Sequence, residues 1–255
     1  IEDMPSDREI VRNHMSDKEH VNQLIAHYEA LRAESDAPVY LYSVTMQNHS
    51  PWDEPFDNFT PDVKVTDERL LANEDVNLFQ IEQYLSLVKL SDASLGILID
   101  YFSQVEEDTV IVFFGDHQPN DTIASPIVKL NGKSVKNLSE EELKLRYEVP
   151  YVIWANYDIE EKDGVVTSTN YLMSTIMNEL GLDMPKYNRL LLEFQKQVPV
   201  LTAVGYRGAD GKYYSLDDAT SPYKEVIDEY YMLQYNELFD RKNWVPSLWD
   251  DAYVK

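Results

Sequence analysis

The sequence predicts an α/β fold with a mostly parallel central sheet and helices on both of its faces. Three observations carry this prediction. Short runs rich in β-branched and aromatic residues alternate with longer segments of helical periodicity. The run from Val110 to Phe114 is apolar throughout, as expected of a strand covered on both faces. Polar turn sequences follow these runs directly, and in such sheets sites form beyond the carboxyl ends of strands.

Residues 1–16 are polar and charged, with Pro5, and read as an exposed leading segment. Ser16 stands three residues before Glu19, the spacing of a helix cap. Val21, Leu24, Ile25, Tyr28 and Leu31 then keep helical spacing, so a helix to about Arg32 is expected, ended by Ala37-Pro38. Residues 39–46 predict a strand that leads into a polar loop at 47–52, and residues 53–73 read as loop. The longest helical pattern spans Asn73 to Gln104, with Val76, Phe79, Tyr84, Leu87, Val88, Leu95, Leu98, Ile99 and Phe102 on one stripe. Ser91-Asp92 offers a cap for a second helix or a bend in the first. A strand over 109–114 meets the turn Gly115-Asp116-His117, where the glycine lets the chain turn sharply.

A polar excursion reaches about Tyr147, with Asn131-Gly132 as a hairpin-type turn and a short capped helix opening at Ser139. Residues 149–155 predict another buried strand, and 168–180 a helix stopped by Gly181. Residues 188–197 predict one more helix. From Pro199 the character changes to short strands at 200–204 and 212–215, a tyrosine-rich helix over 221–239 and a tail over 241–255. The expected division is a main α/β domain over 1–200 and a strand-and-helix appendage over 201–255.

The totals exclude several functions. The 255 residues, 44% hydrophobic and 12% aromatic, are enough for a sizeable core. A net charge of −24, from 46 acidic and 22 basic residues, argues against a nucleic-acid partner. It also repels an anionic substrate unless a bound cation or a local basic patch compensates. With no cysteine, disulfides, thiolate metal sites and cysteine nucleophiles are excluded. The longest apolar run falls far short of the roughly 20 residues a spanning helix needs. No secretory signal opens the chain, and a first residue of Ile suggests a processed or truncated product.

Two loops carry the chemistry. Asp116 and His117 offer a hard oxygen and a borderline nitrogen to a divalent ion. Five apolar residues followed by a carboxylate gain nothing for folding, although a helix cap with a surface histidine is the plainer reading. His49, after the run at 39–46, can bind an anion or stabilise a leaving group; the plainer reading is a loop histidine beside a packed Trp52. Asp53, Glu54 and Asp57 are weaker ligand candidates in so acidic a chain. His14, His20 and His27 read as solvated. Glu140-Glu141-Glu142 reads as a soluble helix start. Tyr223, Tyr230, Tyr231 and Tyr235 have helical spacing and read as packing residues, with sugar stacking as the sharper alternative. No Gly-rich phosphate loop, G-x-S-x-G elbow or H-E-x-x-H helix is present.

Three segments in order resemble the alkaline phosphatase/sulfatase superfamily, and within it the lipoteichoic acid synthase-like, sulfatase-domain proteins of Gram-positive bacteria. They are Ser43-Val44-Thr45-Met46-Gln47-Asn48-His49-Ser50-Pro51-Trp52, the helix from Tyr84 to Gly96, and Val110 to Pro119 with Gly115-Asp116-His117 at its turn. Val149 to Trp154 resembles the following strand, and the match covers roughly residues 17–200.

The resemblance implies a sulfatase-like α/β sandwich at the extracellular face of a Gram-positive-type cell membrane, anchored through segments absent from this chain. It implies a divalent metal of the manganese type held in part by Asp116 and His117, with His49 at the substrate phosphate. The implied reaction moves glycerophosphate from a glycerophospholipid to a cell-wall polymer or glycan through a threonine nucleophile. The family's nucleophile and its glutamate ligand lie upstream of the histidine loop. No threonine here has a matching context: Thr45 lies inside the expected strand and Thr60 in an acidic loop. The chain is therefore expected to be a carboxyl-terminal portion, inactive alone. A sulfatase or phosphatase of the same superfamily, or a non-catalytic module for anionic polymer, remain alternatives.

Overall fold

The computed structural model describes residues 8–248, which form two compact units, one up to Asn156 and one from Tyr157 onward. Pro5 of the leading segment and residues 249–255 of the tail lie outside the described residues.

The first unit opens with a two-residue hairpin, β1 (Ile10–Val11) and β2 (His14–Met15), paired Val11 to His14. Helix α1 (Asp17–Glu34) follows, its first turn capped by the Ser16 side chain, which accepts from the Glu19 amide at 2.9 Å. The return half of a capping box is missing, because the Ser16 amide donates to the Glu9 carbonyl instead. Helix α2 (Glu68–Leu71) is one turn, and α3 (Leu78–Phe102) runs unbroken through Ser91. α3 packs on α1, with Tyr28 set edge-on to Phe102 at 5.0 Å. Strand β3 (Val110–Phe114) leads to α4 (Asp121–Leu130), α5 (Glu140–Leu145) and strand β4 (Tyr151–Ala155). Trp52, Leu70, Val76, Ile81, Leu87 and Ile123 form the core of this unit.

Several expectations need correction here. β3 and β4 pair antiparallel, Val110 opposite Ala155 and Phe114 opposite Tyr151. The segment after β4 therefore leaves from the opposite end of the pair to Gly115. Every sheet among the described residues is small and antiparallel, so a mostly parallel central sheet is not seen there. Residues 39–46 form no strand, and Tyr40 and Tyr42 are 76% and 69% exposed. β3 is not covered on both faces either, since Phe113 and Phe114 stay exposed.

Asn131-Gly132 is no hairpin turn: it ends α4, with Gly132 at φ 71°. That helix escaped the sequence because Pro126 lies inside it. Gly115 has no positive φ. Its role is close approach, as a Cβ there would sit 3.1 Å from the Val149 Cβ.

The second unit contains α6 (Thr169–Glu179), α7 (Lys186–Gln197), the antiparallel sheet of β5 (Val200–Thr202), β6 (Gly205–Arg207) and β7 (Tyr213–Tyr214), and α8 (Lys224–Leu238). The strands and α8, expected as an appendage, share one core with α6 and α7 through Tyr171, Leu191, Phe194, Leu201, Tyr206 and Ile227. Of the tyrosine cluster, Tyr230 is buried against Phe194, and Tyr223 lies so close to Gly208 that no side chain fits there. Tyr231 and Tyr235 are exposed. No helix among the described residues is long and apolar enough to cross a membrane.

Candidate active site

The loop at 47–52 is held from three sides. Gln47 is buried; its side-chain oxygen accepts from the Asp17 amide at 3.0 Å, and its amide nitrogen donates to the Leu87 carbonyl. Asn48 donates to the Ser91 hydroxyl at 2.8 Å. Trp52 is 4% exposed, lies edge-on to Tyr84 at 5.3 Å and donates its indole N–H to the Asn48 carbonyl at 3.1 Å. Gln83 on α3 donates to the Trp52 carbonyl at 2.6 Å. The Ser50–Pro51 peptide is cis. Ser91, which the sequence marked as a cap or bend, is instead the helical post to which this loop and the Asp17 carboxylate are tied.

His49 is an exposed residue of this fixed loop. Its Nδ1 lies 2.8 Å from the Ser50 carbonyl, so it carries the proton and donates there. That leaves Nε2 for a ligand.

Arg12 supplies the third side. It is 4% exposed and donates to the Pro51 carbonyl at 2.6 Å, the Gln47 carbonyl at 3.3 Å and the His49 carbonyl. Burial holds its guanidinium below the usual arginine range. Its neighbour in the hairpin, His14, is half-buried and meets the His49 ring at a centroid distance of 6.1 Å and an angle of 60°. The His14 pKa is lowered, first by burial, then by the positive fields of Arg12 and His49. The reading of His14 and His20 as solvated is corrected here: His20 is also half-buried and contacts the Ser43 hydroxyl through Nε2. His27 is exposed, as expected.

Asp116 and His117 stand just beyond the carboxyl end of β3 with side chains 78% and 71% exposed. Asp116 Oδ1 accepts from the His117 amide at 2.8 Å, and its Oδ2 lies 3.5 Å from His117 Nε2. His117 Nδ1 is 2.8 Å from the Gln118 carbonyl. With Nδ1 donating there, the neutral imidazole carries its lone pair on Nε2, the arrangement of metal-bound histidines. The Gln118 side chain in turn donates to the Leu145 and Glu148 carbonyls at 2.8 and 2.7 Å. Asn120 then caps α4, whose Asp121 pairs with Arg146 at 3.0 Å.

The donor chemistry of this pair suits a divalent ion, but two donors do not complete a site. Among the described residues no group of three or more histidines and carboxylates converges on one point. The hydrogen bonds, ion pairs and ring contacts of the described residues do not join His49 to the Asp116–His117 pair. Asp53, Glu54 and Asp57 face solvent.

A family model described as Sulfatase matches residues 1–182. The chain belongs to the sulfatase family. A "putative cyclic beta-1,2-glucan modification protein" of Rhizobium meliloti (strain 1021) is 27% identical over 161 residues, which is 62% of this sulfatase chain. The chain spans about a quarter, 24%, of the length of that curated relative. Among solved structures, the Streptococcus pyogenes phosphoglycerol transferase GacH in complex with sn-glycerol-1-phosphate matches with a TM-score of 0.55 and 17% identity. That match covers 94% of this chain and 55% of GacH, and at this identity it establishes a shared fold. The α/β fold is thus that of a sulfatase-family domain and is similar to the fold of GacH.

Sequence reasoning missed Arg12 and His14. The available signal was weak: Arg12-Asn13 between Val11 and His14 has the length of a tight turn, but its contacts with the loop lie 35 or more residues away.

Proposed function

We propose that this chain forms the phosphoester-binding part of a metal-dependent phosphoglycerol transferase-like domain working at the extracellular face of a Gram-positive-type membrane. The observation that carries the proposal is the Asp116–His117 pair, with Nδ1 committed to the Gln118 carbonyl and Nε2 facing the carboxylate at 3.5 Å. In the intact protein these two side chains hold a divalent ion of the manganese type. Such an ion stabilises charge that develops on the phosphoryl oxygens.

His49, fixed by its loop, presents Nε2 to the phosphoester; as an imidazolium, with Nδ1–H still on the Ser50 carbonyl, it can donate a proton to a phosphoester oxygen or to the leaving group. The phosphate belongs to a glycerophospholipid or a related ester, and the acceptor is a cell-wall polymer or glycan. GacH, with bound sn-glycerol-1-phosphate, supports the substrate class; the glucan-modifying relative supports a glycan acceptor.

The threonine nucleophile, the remaining metal ligands and the membrane segments are contributed from outside this chain, which is inactive alone. Supporting this, Tyr40, Tyr42, Val44, Met46, Phe113, Phe114 and Val152 stay exposed where a central sheet would bury them.

The test is manganese titration and turnover of the full-length protein against Asp116→Ala and His117→Ala. Each variant is expected to lose at least roughly tenfold in metal affinity, the scale of losing one ligand or its orienting partner. Equal affinity and turnover in all three proteins would refute the assignment.

A further inference from the structure

We propose that the β1–β2 hairpin is a wall of the His49 site, with Arg12 as the positioning residue of the loop and His14 as a second imidazole for the same phosphoester. The proposal rests on the reading of His49 as a phosphate ligand.

Arg12 occupies an unfavourable backbone position. Its φ of 55° is the one positive value at a non-glycine residue among those described, at the first position of a two-residue hairpin turn. A turn with only its first residue at positive φ favours glycine there. An arginine in that conformation costs on the order of 1 kcal/mol relative to glycine. Its carbonyl is held by Asn58, whose amide donates to Ile10 and Arg12, both at 3.0 Å. What arginine supplies and glycine does not is the guanidinium, which donates to three carbonyls of residues 47–51. Those bonds fix the backbone on both sides of His49.

The charge of Arg12 is also left uncompensated. Its partners are neutral carbonyls and the Phe56 ring at 5.7 Å, and no carboxylate pairs with it among the described residues. A nearly buried cation without a counter-ion is costly. Two imidazoles stand beside it, and the His14 imidazole makes a ring contact with His49 but no side-chain hydrogen bond to a described residue. Two hydrogen bonds of about 2.8 Å to different oxygens of one phosphate can bridge rings at this separation. In a chain of net charge −24, the Arg12 guanidinium with two imidazoles beside it makes a local site suited to a phosphoester anion.

The experiment uses the full-length protein. Calorimetry measures binding of sn-glycerol-1-phosphate and of inorganic phosphate to the wild type, Arg12→Gly, Arg12→Lys, His14→Phe and His49→Ala, with thermal melting alongside. Arg12→Gly is expected to lose roughly tenfold or more in affinity, with thermal melting showing that it stays folded; glycine relieves the turn while three loop carbonyls lose their donor. Arg12→Lys does not restore binding, since one ammonium cannot reach three carbonyls. His14→Phe keeps the ring contact and loses about tenfold, the scale of one charge-assisted hydrogen bond.

In wild-type protein with 15N-labelled histidines, both His14 and His49 resonances move on phosphate addition. If Arg12→Gly and His14→Phe bind as wild type while His49→Ala does not, the hairpin has no part and the site reading survives. If His49→Ala binds as wild type, that reading itself fails. Should the variants misfold, an unmoved His14 resonance at phosphate saturation overturns the proposal.

Discussion

Truncating Trp52 tests the link between core packing and the presentation of His49. The ring is 4% exposed, sits in the cluster with Leu70, Val76, Ile81, Leu87 and Ile123, and contacts Tyr84 edge-on. A buried Trp→Ala change costs about 3–5 kcal/mol in transfer and cavity terms. The lost aromatic contact and the unpaired Asn48 carbonyl put Trp52→Ala in the upper half of that range. Trp52→Phe keeps most of the buried area and loses mainly the indole hydrogen bond, so it is expected to cost about 1–2 kcal/mol.

For a protein of this size, about 1 kcal/mol moves the melting temperature by roughly 2–4 °C. Equilibrium denaturation followed by circular dichroism separates the two variants. Phosphate-induced shifts of the His49 imidazole then report the site, and they are expected to weaken in Trp52→Ala more than in Trp52→Phe. A cost below about 1 kcal/mol for Trp52→Ala would refute this picture of the loop resting on a tightly packed ring.

Two further perturbations probe polar groups that the sequence did not single out. Burial pushes the Asp17 carboxyl above its ordinary value, outweighing the Ser91 hydroxyl and other partners that pull it down. A raised folded-state pKa means the protonated form is favoured by folding, so that contribution is complete below the unfolded value and is lost as pH rises through the folded one. Asp17→Asn should therefore match the wild type in acid and exceed it near neutrality; parallel stability-versus-pH curves would count against this. Asn156 accepts from the Thr109 amide at 2.7 Å and donates to the Phe102, Val105 and Glu107 carbonyls at 3.2, 3.0 and 2.9 Å. Asn156→Ala is expected to cost about 1–3 kcal/mol in urea denaturation, and Asn156→Asp at least as much at pH 7, because a carboxylate would face three carbonyls. An Asp variant as stable as the wild type would disprove that assignment.

What the sequence alone determined about this protein is local or carried in contiguous motifs. Ser16 and Ser139 cap the helices they were expected to cap, because a cap needs only a hydroxyl and an amide three residues on. The periodic stripe of α3 and the helices at 169–179 and 186–197 follow from spacing within one element. The ordered segments around His49 and Gly115-Asp116-His117 were enough to point to the sulfatase family, and the family match bears that out.

Tertiary structure decided the rest, because it depends on what distant residues do to one another. Strand direction is set by how the chain returns through α4 and α5, so β3 and β4 pair antiparallel although each reads as an ordinary apolar run. Apolar character marks residues 39–46 as material for a sheet but does not supply a neighbour to pair with, and the exposed Tyr40 and Tyr42 record that difference. The burial of Arg12, its reach to the loop at 47–51 and the meeting of His14 with His49 join residues 35 or more positions apart. Periodicity and spacing are blind at that range, since such contacts exist only once α1, α3 and the hairpin have packed.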